Sequence, residues 1–455
     1  MKELSHKSGK NRTIDMTSGP ITGPLILYIL PLIGSGVFQQ LYSTVDFIFI
    51  GHILNKTAAA AVGASSTLIY CTIGLFLGIS VGTSVVISHA FGANDAVKAD
   101  RALHTSVAFG LIGGIALSIL AIAFAPQILR VLNAPESVIP SATTYMRIYM
   151  LSVPASVLYN MCSGAVRAIG NSITPFRILA VCGIINVALD ALFLIAIPMG
   201  VAGVAWATLI SQLLSAVFIM ISLRRKGDLL YLRFSRITVD LSILKSILRI
   251  GLPTGIQTML ITISNIAVQY YINGFGEVAI AAFATYYKLE NFVFLPILAF
   301  GQASTAFTGQ NTGAGMYTRI RKGSNILLLL CAAVTIVITG AILLFPDIVF
   351  GWFMKDPEVV LCAITIAMVS FPFYWLYSFI EVYGGSIRGM GYSITSMLII
   401  VSNICVLRIA LLSVFSITPG TIRAVASVYP ITWGGAAVCF IAAFLWIMRK
   451  EAARS

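Results

Sequence analysis

Charged side chains are scarce in this sequence. Asp, Glu, Lys and Arg together make up 10% of the chain, whereas 58% of its residues are hydrophobic. Soluble globular domains carry roughly 25% charged residues, so this composition excludes an ordinary soluble protein. Long apolar runs of this kind are typical of helices that cross a membrane.

Acidic residues are the scarcer of the two charge types. Sixteen Asp and Glu stand against 29 Lys and Arg, which gives a formal net charge of +13. In a soluble chain this excess would suggest a nucleic-acid partner. In a membrane protein, basic loops on the cytoplasmic side explain it. We therefore expect contacts with membrane lipids and no nucleic-acid partner.

Residues that hold metals or form disulfides are also few. The seven Cys lie inside apolar runs and include no CxxC pair, which argues against a disulfide framework or a zinc site. The four His show no metal-ligand spacing, and no HExxH motif occurs. We expect neither a cofactor nor enzymatic activity.

Apolar stretches long enough to span a bilayer occur twelve times. They are predicted near 25–50, 58–88, 103–125, 143–165, 173–195 and 200–223, and again near 242–272, 278–310, 323–345, 359–384, 393–416 and 424–448. Loops on the side of the termini hold 22 Lys or Arg, against 5 on the other side. The positive-inside rule therefore places both termini in the cytoplasm.

The second half of the chain repeats the first. The segment RAIGNSIT at 167–174 recurs as RGMGYSIT at 388–395, and Leu30-Pro31 recurs at nearly the same spacing as Leu252-Pro253. Each copy has six crossings, so both copies enter the membrane from the same side and the repeats are parallel. We predict an all-α integral membrane protein with twelve transmembrane helices in two six-helix bundles around a central cleft, which suits alternating access.

Five segments follow from this organisation. Residues 1–20 are polar and basic and lack a signal-peptide pattern. The predicted segments are a cytoplasmic tail at 1–20, an N-terminal bundle at 21–223, a basic cytoplasmic linker at 224–241, a C-terminal bundle at 242–448 and a cytoplasmic tail at 449–455.

Several short motifs resemble the multidrug and toxic compound extrusion (MATE) family of secondary transporters over residues 20–450. They are the Pro31 span that ends in YSTVD at 42–46, GAN at 92–94, GAVRAIG at 164–170, NVALD at 186–190, GQNTGA at 309–314 and GSIRGMG at 385–391. An acidic residue in the first span with Asn-x-x-x-Asp in the fifth looks like the DinF-like branch of the family. The resemblance implies a cytoplasmic membrane protein that exchanges amphipathic, often cationic, compounds for a driving cation. It also implies a coupling-ion site, for protons or sodium ions, at Asp46, Asn186 and Asp190.

The residues themselves also favour a shared acidic site. At about 1.5 Å per residue, Asp46 lies about 30 Å along the first span and Asp190 about 25 Å along the fifth. Asn186 and Asp190 are four residues apart and share one helix face. Two carboxyl groups in an apolar pocket resist ionising together, so the pair suits a proton that a cation can replace, and sodium is the other candidate. The alternative is that these acids only stabilise a kink or bond to a neighbouring hydroxyl.

Further ionisable residues fall inside the second repeat. Lys288 and Glu290 lie two residues apart in the eighth span, so they do not face each other. A structural ion pair with another helix and a role in the substrate cleft are both open, and Tyr286 would add a cation–π contact in the second case. Glu381 is a weaker candidate for the cleft. Arg408 has three open partners: an acid, a lipid phosphate or an anionic substrate.

Pro31 permits a bend in the first span, because it removes one backbone hydrogen bond. We expect ion binding near Asp46 to shift this helix and displace substrate; a static kink is the alternative.

The predicted function is a cation-coupled antiporter, with protons or sodium as the coupling ion. It exports amphipathic, cationic drugs or metabolites by alternating access and works as a monomer. A flippase or exporter of lipid-linked or anionic metabolites on the same fold is the alternative. Away from the span ends, the spans hold four acids, Asp46, Asp190, Glu290 and Glu381, and two bases, Lys288 and Arg408, a balance that favours cationic cargo.

Overall fold

The computed structural model describes residues 13–54, 56–131, 135–224, 230–417 and 421–453, and these contain helices and no β-strand. The first half comprises α1 (Thr22–Ile53), α2 (Lys56–Gly92), α3 (Ala96–Ala123), α4 (Ala125–Val131), α5 (Ile139–Ala168), α6 (Ile173–Ala191), which continues as a π-helical turn (Leu192–Ala196), and α7 (Val201–Ser222). The second half comprises α8 (Leu241–Asn273), α9 (Glu277–Gly313), α10 (Tyr317–Leu344), α11 (Pro346–Gly351), α12 (Pro357–Ser370), α13 (Leu376–Gly389), α14 (Ser393–Ile400), a π-helical segment (Val401–Leu407), α15 (Arg408–Ile417) and α16 (Ile422–Ala452).

The predicted spans coincide with these helices. Ten helices of the described chain are long and apolar enough to cross a membrane, and α12 with α13, bent by 51°, would make an eleventh. Helix α5, with 30 residues, occupies the predicted fourth span. The prediction of an all-α membrane fold is confirmed.

Helices α3 and α10 begin earlier than predicted, at Ala96 and Tyr317 instead of near positions 103 and 323. Their first turns carry basic side chains such as Lys98 and Arg319, so hydropathy alone does not mark these turns as helix. Asp95 caps α3 by accepting a hydrogen bond of 2.9 Å from the backbone N–H of Lys98. Residues 1–12 of the predicted tail, 225–229 of the predicted linker and 454–455 lie outside the described residues.

The starts of α1 and α8 cross between the two halves. Leu25, Tyr28 and Ile29 of α1 pack in the hydrophobic core of the second half. Ile247 and Ile250 of α8 pack in the core of the first half. The exchange is symmetric, since positions 25 and 28 correspond to 247 and 250 when the Leu-Pro pairs of the two repeats are aligned. Each core therefore contains the start of one helix from the other repeat.

Glycines bring α2 and α8 into backbone contact where this exchange occurs. Gly78 faces Gly255, and Gly82 faces Gly251, so the two helices run antiparallel along a seam of small residues. A methyl group added at Gly251 would lie 2.6 Å from the Cα atom of Ile79. Small residues four apart allow membrane helices to approach this closely. We call this contact the glycine seam.

The contacts between the halves end near the middle of the helices. Gly36 of α1 lies against Leu295 of α9, where an added methyl group would be 3.0 Å from the Leu295 side chain. Among the described residues, the hydrogen bonds and close glycine contacts that join the halves lie between this pair and the terminus side. The described contacts therefore join the halves on the terminus side, which we call the closed side.

Residues 14–19, which we call the strap, cross the closed side. The Ile14 N–H donates to the Gly170 carbonyl (3.1 Å) in the first half, and the Met16 N–H donates to Gln310 Oε1 (3.0 Å) in the second. The Arg319 guanidinium donates to the carbonyls of residues 16, 18 and 19 at 3.0, 2.8 and 2.8 Å. Met16 itself is buried. The strap thus ties both halves together.

Asp15 shapes the turn of the strap. Its carboxylate accepts hydrogen bonds from the Thr17 N–H and the Ser18 hydroxyl, both at 2.8 Å. Partial burial raises the pKa of Asp15, but these hydrogen bonds and the nearby Arg319 outweigh it and hold the pKa below its usual value. The charged form of Asp15 therefore holds the turn at neutral pH.

Replacing Gly78 by Ala tests the glycine seam. The added methyl group meets the backbone of Gly255, so we expect the helices to be forced apart at a cost of about 1–3 kcal/mol. Thermal unfolding in detergent should show a lower midpoint for Gly78→Ala. Gly63→Ala on the same helix is the matched control, because nothing lies within 4 Å of its added methyl group. Equal midpoints for the two variants would contradict the seam.

Candidate functional site

Helix α1 packs on α6 through small and aromatic side chains. The ring of Phe176 lies against Gly34, where an added methyl group would be 2.9 Å away. Phe38 meets Phe176 edge to face, with 5.8 Å between ring centroids. One turn further, the Tyr42 ring covers Gly183. From Gly34 to Tyr42 the contacts advance eight residues on α1, and from Phe176 to Gly183 they advance seven on α6, nearly the same rise, as in two helices that run side by side.

The next step of this pattern brings two acids together. Asp46 follows Tyr42 by four residues and Asp190 follows Gly183 by seven, and their carboxyl groups lie close enough to interact. The two carboxyl groups are neighbours but share no well-aligned hydrogen bond. Asp46 Oδ1 and both carboxyl oxygens of Asp190 are buried and have no hydrogen-bond partner. Asp190 is fully buried and Asp46 half-buried. Asp46 is therefore the acid closer to the bundle surface.

Asn186 completes this cluster one turn before Asp190. Its side chain is buried, and neither its Oδ1 nor its Nδ2 atom has a hydrogen-bond partner. Buried polar groups in proteins are normally satisfied. A buried pair of carboxyl groups without donors is stable only if a proton or a cation balances its charge. We call Asp46, Asn186 and Asp190 the acidic cluster.

Glu290 belongs to a second polar centre, inside the C-terminal half. Its Oε1 atom accepts hydrogen bonds of 3.3 Å from the hydroxyls of both Tyr286 and Tyr374. The Ser370 hydroxyl donates in turn to the Tyr286 oxygen at 2.9 Å. Phe371, Tyr374 and Trp433 form successive edge-to-face ring contacts in this region. Glu290 is thus held by tyrosine hydroxyls in an aromatic surrounding.

Arg408 lies near this centre. Its Nη1 atom donates to Asn265 Oδ1 at 3.2 Å, and its guanidinium carbon stacks 4.8 Å from the ring centroid of Tyr429. The Nε atom is buried without a hydrogen-bond partner. Among the described residues no acid forms an ion pair with it within 4.0 Å. Of the partners open from the sequence, the acid is therefore not found among the described residues, and the structure gives Arg408 an amide and an aromatic ring.

Lys288 and Glu381 occupy different surroundings. The Lys288 side chain is exposed, whereas Tyr286 on the same helix is fully buried. Glu381 forms an ion pair of 3.6 Å with Arg388, two turns later on α13, and both side chains are largely buried. Arg388 also donates to the Ser396 hydroxyl at 3.3 Å. The structure thus brings Asp46, Asn186 and Asp190 together and leaves Lys288 and Glu381 apart from Glu290.

Sequence reasoning missed the partners of Glu290 and Arg408. Ser370 ends α12 and Tyr374 lies just before α13, both distant in the chain from Glu290 on α9. Asn265, the partner of Arg408, lies on α8. The sequence does show that these residues need partners, because polar residues inside apolar spans are costly without them. It does not show which polar residues pair with each other.

The Glu381–Arg388 ion pair yields a stability prediction. Replacing one member, as in Glu381→Leu, leaves Arg388 buried without its counter-charge, which typically costs about 3–5 kcal/mol. The double variant Glu381→Leu/Arg388→Met removes both charges and is expected to regain part of that loss. Thermal unfolding in detergent measures both. A single variant as stable as the wild type would refute a structural role for this pair.

The MatE family model matches residues 31–192 and, a second time, residues 253–414. The chain belongs to the MATE family. The two matches begin at the equivalent residues Pro31 and Pro253, which confirms the internal repeat of this MATE chain. MATE proteins are transporters, so the prediction of no enzymatic activity is also confirmed. The assignment to the DinF-like branch stays a prediction.

Two relatives from Bacillus subtilis (strain 168) illustrate the similarity of this MATE chain. It is 28% identical over 372 residues, 80% of each chain, to the "Probable multidrug resistance protein YoeA". It is 30% identical over 315 residues to the "Probable multidrug resistance protein YpnP", which covers 68% of this chain and 69% of the relative.

A solved structure shares the MATE fold. It is described as the outward-facing conformation of a multidrug resistance MATE family transporter of the MOP superfamily, and it superposes with a TM-score of 0.90 over 97% of this chain and 98% of the other. The sequence identity is 22%, so this likeness concerns the fold alone.

Proposed function

We propose that this MATE transporter exports amphipathic organic cations in exchange for protons or sodium ions, with the acidic cluster as the coupling-ion site. The observation that carries the proposal is the contact of two carboxyl groups, that of Asp190 fully buried and that of Asp46 half-buried, in which three of the four oxygens are buried without a donor among the described residues. The names of the relatives, which refer to multidrug resistance, support drugs as the cargo.

The acidic cluster suits exchange because it holds charge that must be balanced. A proton shared by Asp46 and Asp190 would balance it, or a sodium ion bound by their oxygens and by Asn186 Oδ1. A substrate cation near Asp46 then disfavours the coupling ion, and the coupling ion disfavours the substrate by the same factor. Mutual exclusion of two ligands is what an antiporter requires.

Pro31 lies where this exchange can be linked to movement. Residues 25–32 of α1 pack in the core of the second half, whereas Gly34 and Phe38 pack against α6 of the first. Pro31 therefore stands at the junction of two differently held parts of one helix, which remains helical through it. We propose that α1 bends at this junction when the occupancy of the acidic cluster changes.

We further propose that the protein works as a monomer in the cytoplasmic membrane with both termini in the cytoplasm. The excess of basic loops on the terminus side supports this orientation. Because the halves are joined on the terminus side, the predicted cleft would then open to the outside, the side to which an exporter releases its cargo.

Export of lipid-linked or anionic metabolites is the second candidate. The buried guanidinium of Arg408, with an unpartnered Nε atom, is the observation that favours it. An anionic cargo would bind Arg408, and Arg408→Gln would then abolish its transport.

Efflux of a fluorescent lipophilic cation from reconstituted vesicles tests the main proposal. With an imposed proton or sodium gradient, we expect Asp46→Asn and Asp190→Asn to lose gradient-driven efflux at least about tenfold, because neither variant can exchange a charge-balancing ion. The gradient that drives the wild type identifies the ion.

Asp347→Asn is the control, since Asp347 is exposed at the start of α11, and it should transport normally. Undiminished efflux in folded Asp46→Asn and Asp190→Asn proteins would overturn the role of the acidic cluster. Transport of anions and not cations by the wild type would favour the second candidate.

A further inference from the structure

A groove of about 930 Å³ lies on the terminus side, outside the cleft and the acidic cluster. Three separate parts of the chain line it: residues 19–22, which join the end of the strap to the start of α1, the start of α10 and the end of α16. The groove is therefore complete only while residues 19–22 lie against the second half.

The polar wall of the groove is basic. Arg321 and Lys322 of α10 and Arg449 of α16 line it with exposed side chains, and no lining residue is acidic. None of these three forms an ion pair among the described residues. Arg319 also lines the groove, but its guanidinium is used by the strap carbonyls. Glu451, the nearest acid on α16, accepts a hydrogen bond from Tyr392 in a neighbouring groove.

The other wall is apolar. Ile326 and Leu445 lie about one turn deeper along the same two helices, toward the membrane, and Met448 directly precedes Arg449. Leu445 is 42% exposed, so an apolar chain can reach it from the bilayer. The groove thus combines converging positive charge at the membrane surface with an apolar face below it.

We propose that this groove binds one anionic phospholipid of the terminus-side leaflet. Its phosphate would contact Arg321, Lys322 and Arg449, and an acyl chain would follow Leu445 and Ile326. Basic pockets between transmembrane helices recognise anionic headgroups in this way. The positive-inside rule accounts for basic residues on this side, but it does not account for three of them meeting at one groove with an apolar floor.

Such a lipid would also stabilise the closed terminus side. Residues 19–22, between the strap and α1, wall the groove together with α10 and α16, so its occupant binds the closed arrangement and not one in which these residues have moved away. A ligand that binds one of two states shifts the population toward that state. The inference is independent of the coupling ion and of the transported compound.

Lipid titration of the full-length protein in detergent tests the proposal. We expect phosphatidylglycerol to raise the thermal unfolding midpoint saturably and phosphatidylcholine to leave it unchanged. The triple variant Arg321→Gln/Lys322→Gln/Arg449→Gln should bind phosphatidylglycerol about a hundredfold more weakly. That figure follows from about 1 kcal/mol for each basic side chain near a membrane surface. Native mass spectrometry should show one retained anionic lipid on the wild type.

The matched control removes three other exposed basic residues of the terminus side. Lys98→Gln/Arg177→Gln/Lys245→Gln changes the net charge equally and lies away from the groove. It should respond to phosphatidylglycerol as the wild type does. If the groove triple variant does not fold, Arg449→Gln alone is compared by native mass spectrometry, with an expected loss of about fivefold.

Two outcomes would overturn the proposal. Equal binding of phosphatidylglycerol by the groove and control triple variants would mean that the groove is not the site. Full stabilisation by inorganic phosphate at the same concentration would assign the groove to a free anion and not to a lipid.

Discussion

Two helix ends, the starts of α1 and α8, cross from one repeat into the core of the other, and the glycine seam makes this crossing possible. Only glycines, which have no side chain, let the backbones of α2 and α8 touch at the place where the start of α8 enters the other repeat. Opening the terminus side requires three changes. The starts of α1 and α8 must leave the core of the other repeat, the glycine seam must separate, and the strap must detach. Packed interfaces of this kind switch between discrete arrangements and do not deform gradually, which is the behaviour that alternating access needs.

The same crossing links the closed side to the acidic cluster. One helix, α1, is anchored in the second half by Leu25 and Tyr28, and it carries Asp46 against Asp190 in the first half. The C-terminal half has no equivalent acid pair among its described residues, and its half-buried Glu290 and buried Arg408 are held by tyrosine hydroxyls, an amide and a ring. The two repeats share a fold but differ in chemistry, and the coupling that we propose belongs to the first.

Hydrophobic run lengths and repeated motifs predicted the fold, because a bilayer demands both long apolar helices and closed backbone hydrogen bonding. Asp46 and Asp190 were predictable as partners because charge inside a span is rare and costly. The exchange of the helix ends was not predictable, since Leu25 and Ile247 are apolar whichever core receives them. The partners of Arg408 were also not predictable, because the π-helical segment Val401–Leu407 just before it shifts the helical register.

Ion release on substrate binding tests the central claim most directly. A lipophilic cation is added to purified protein in weak buffer while a pH indicator and a sodium electrode follow the solution. We predict that the wild type releases protons or sodium ions in proportion to bound substrate, and that Asp46→Asn and Asp190→Asn bind without release. Substrate binding to the wild type with no ion release, or equal release by both variants, would contradict coupling at the acidic cluster.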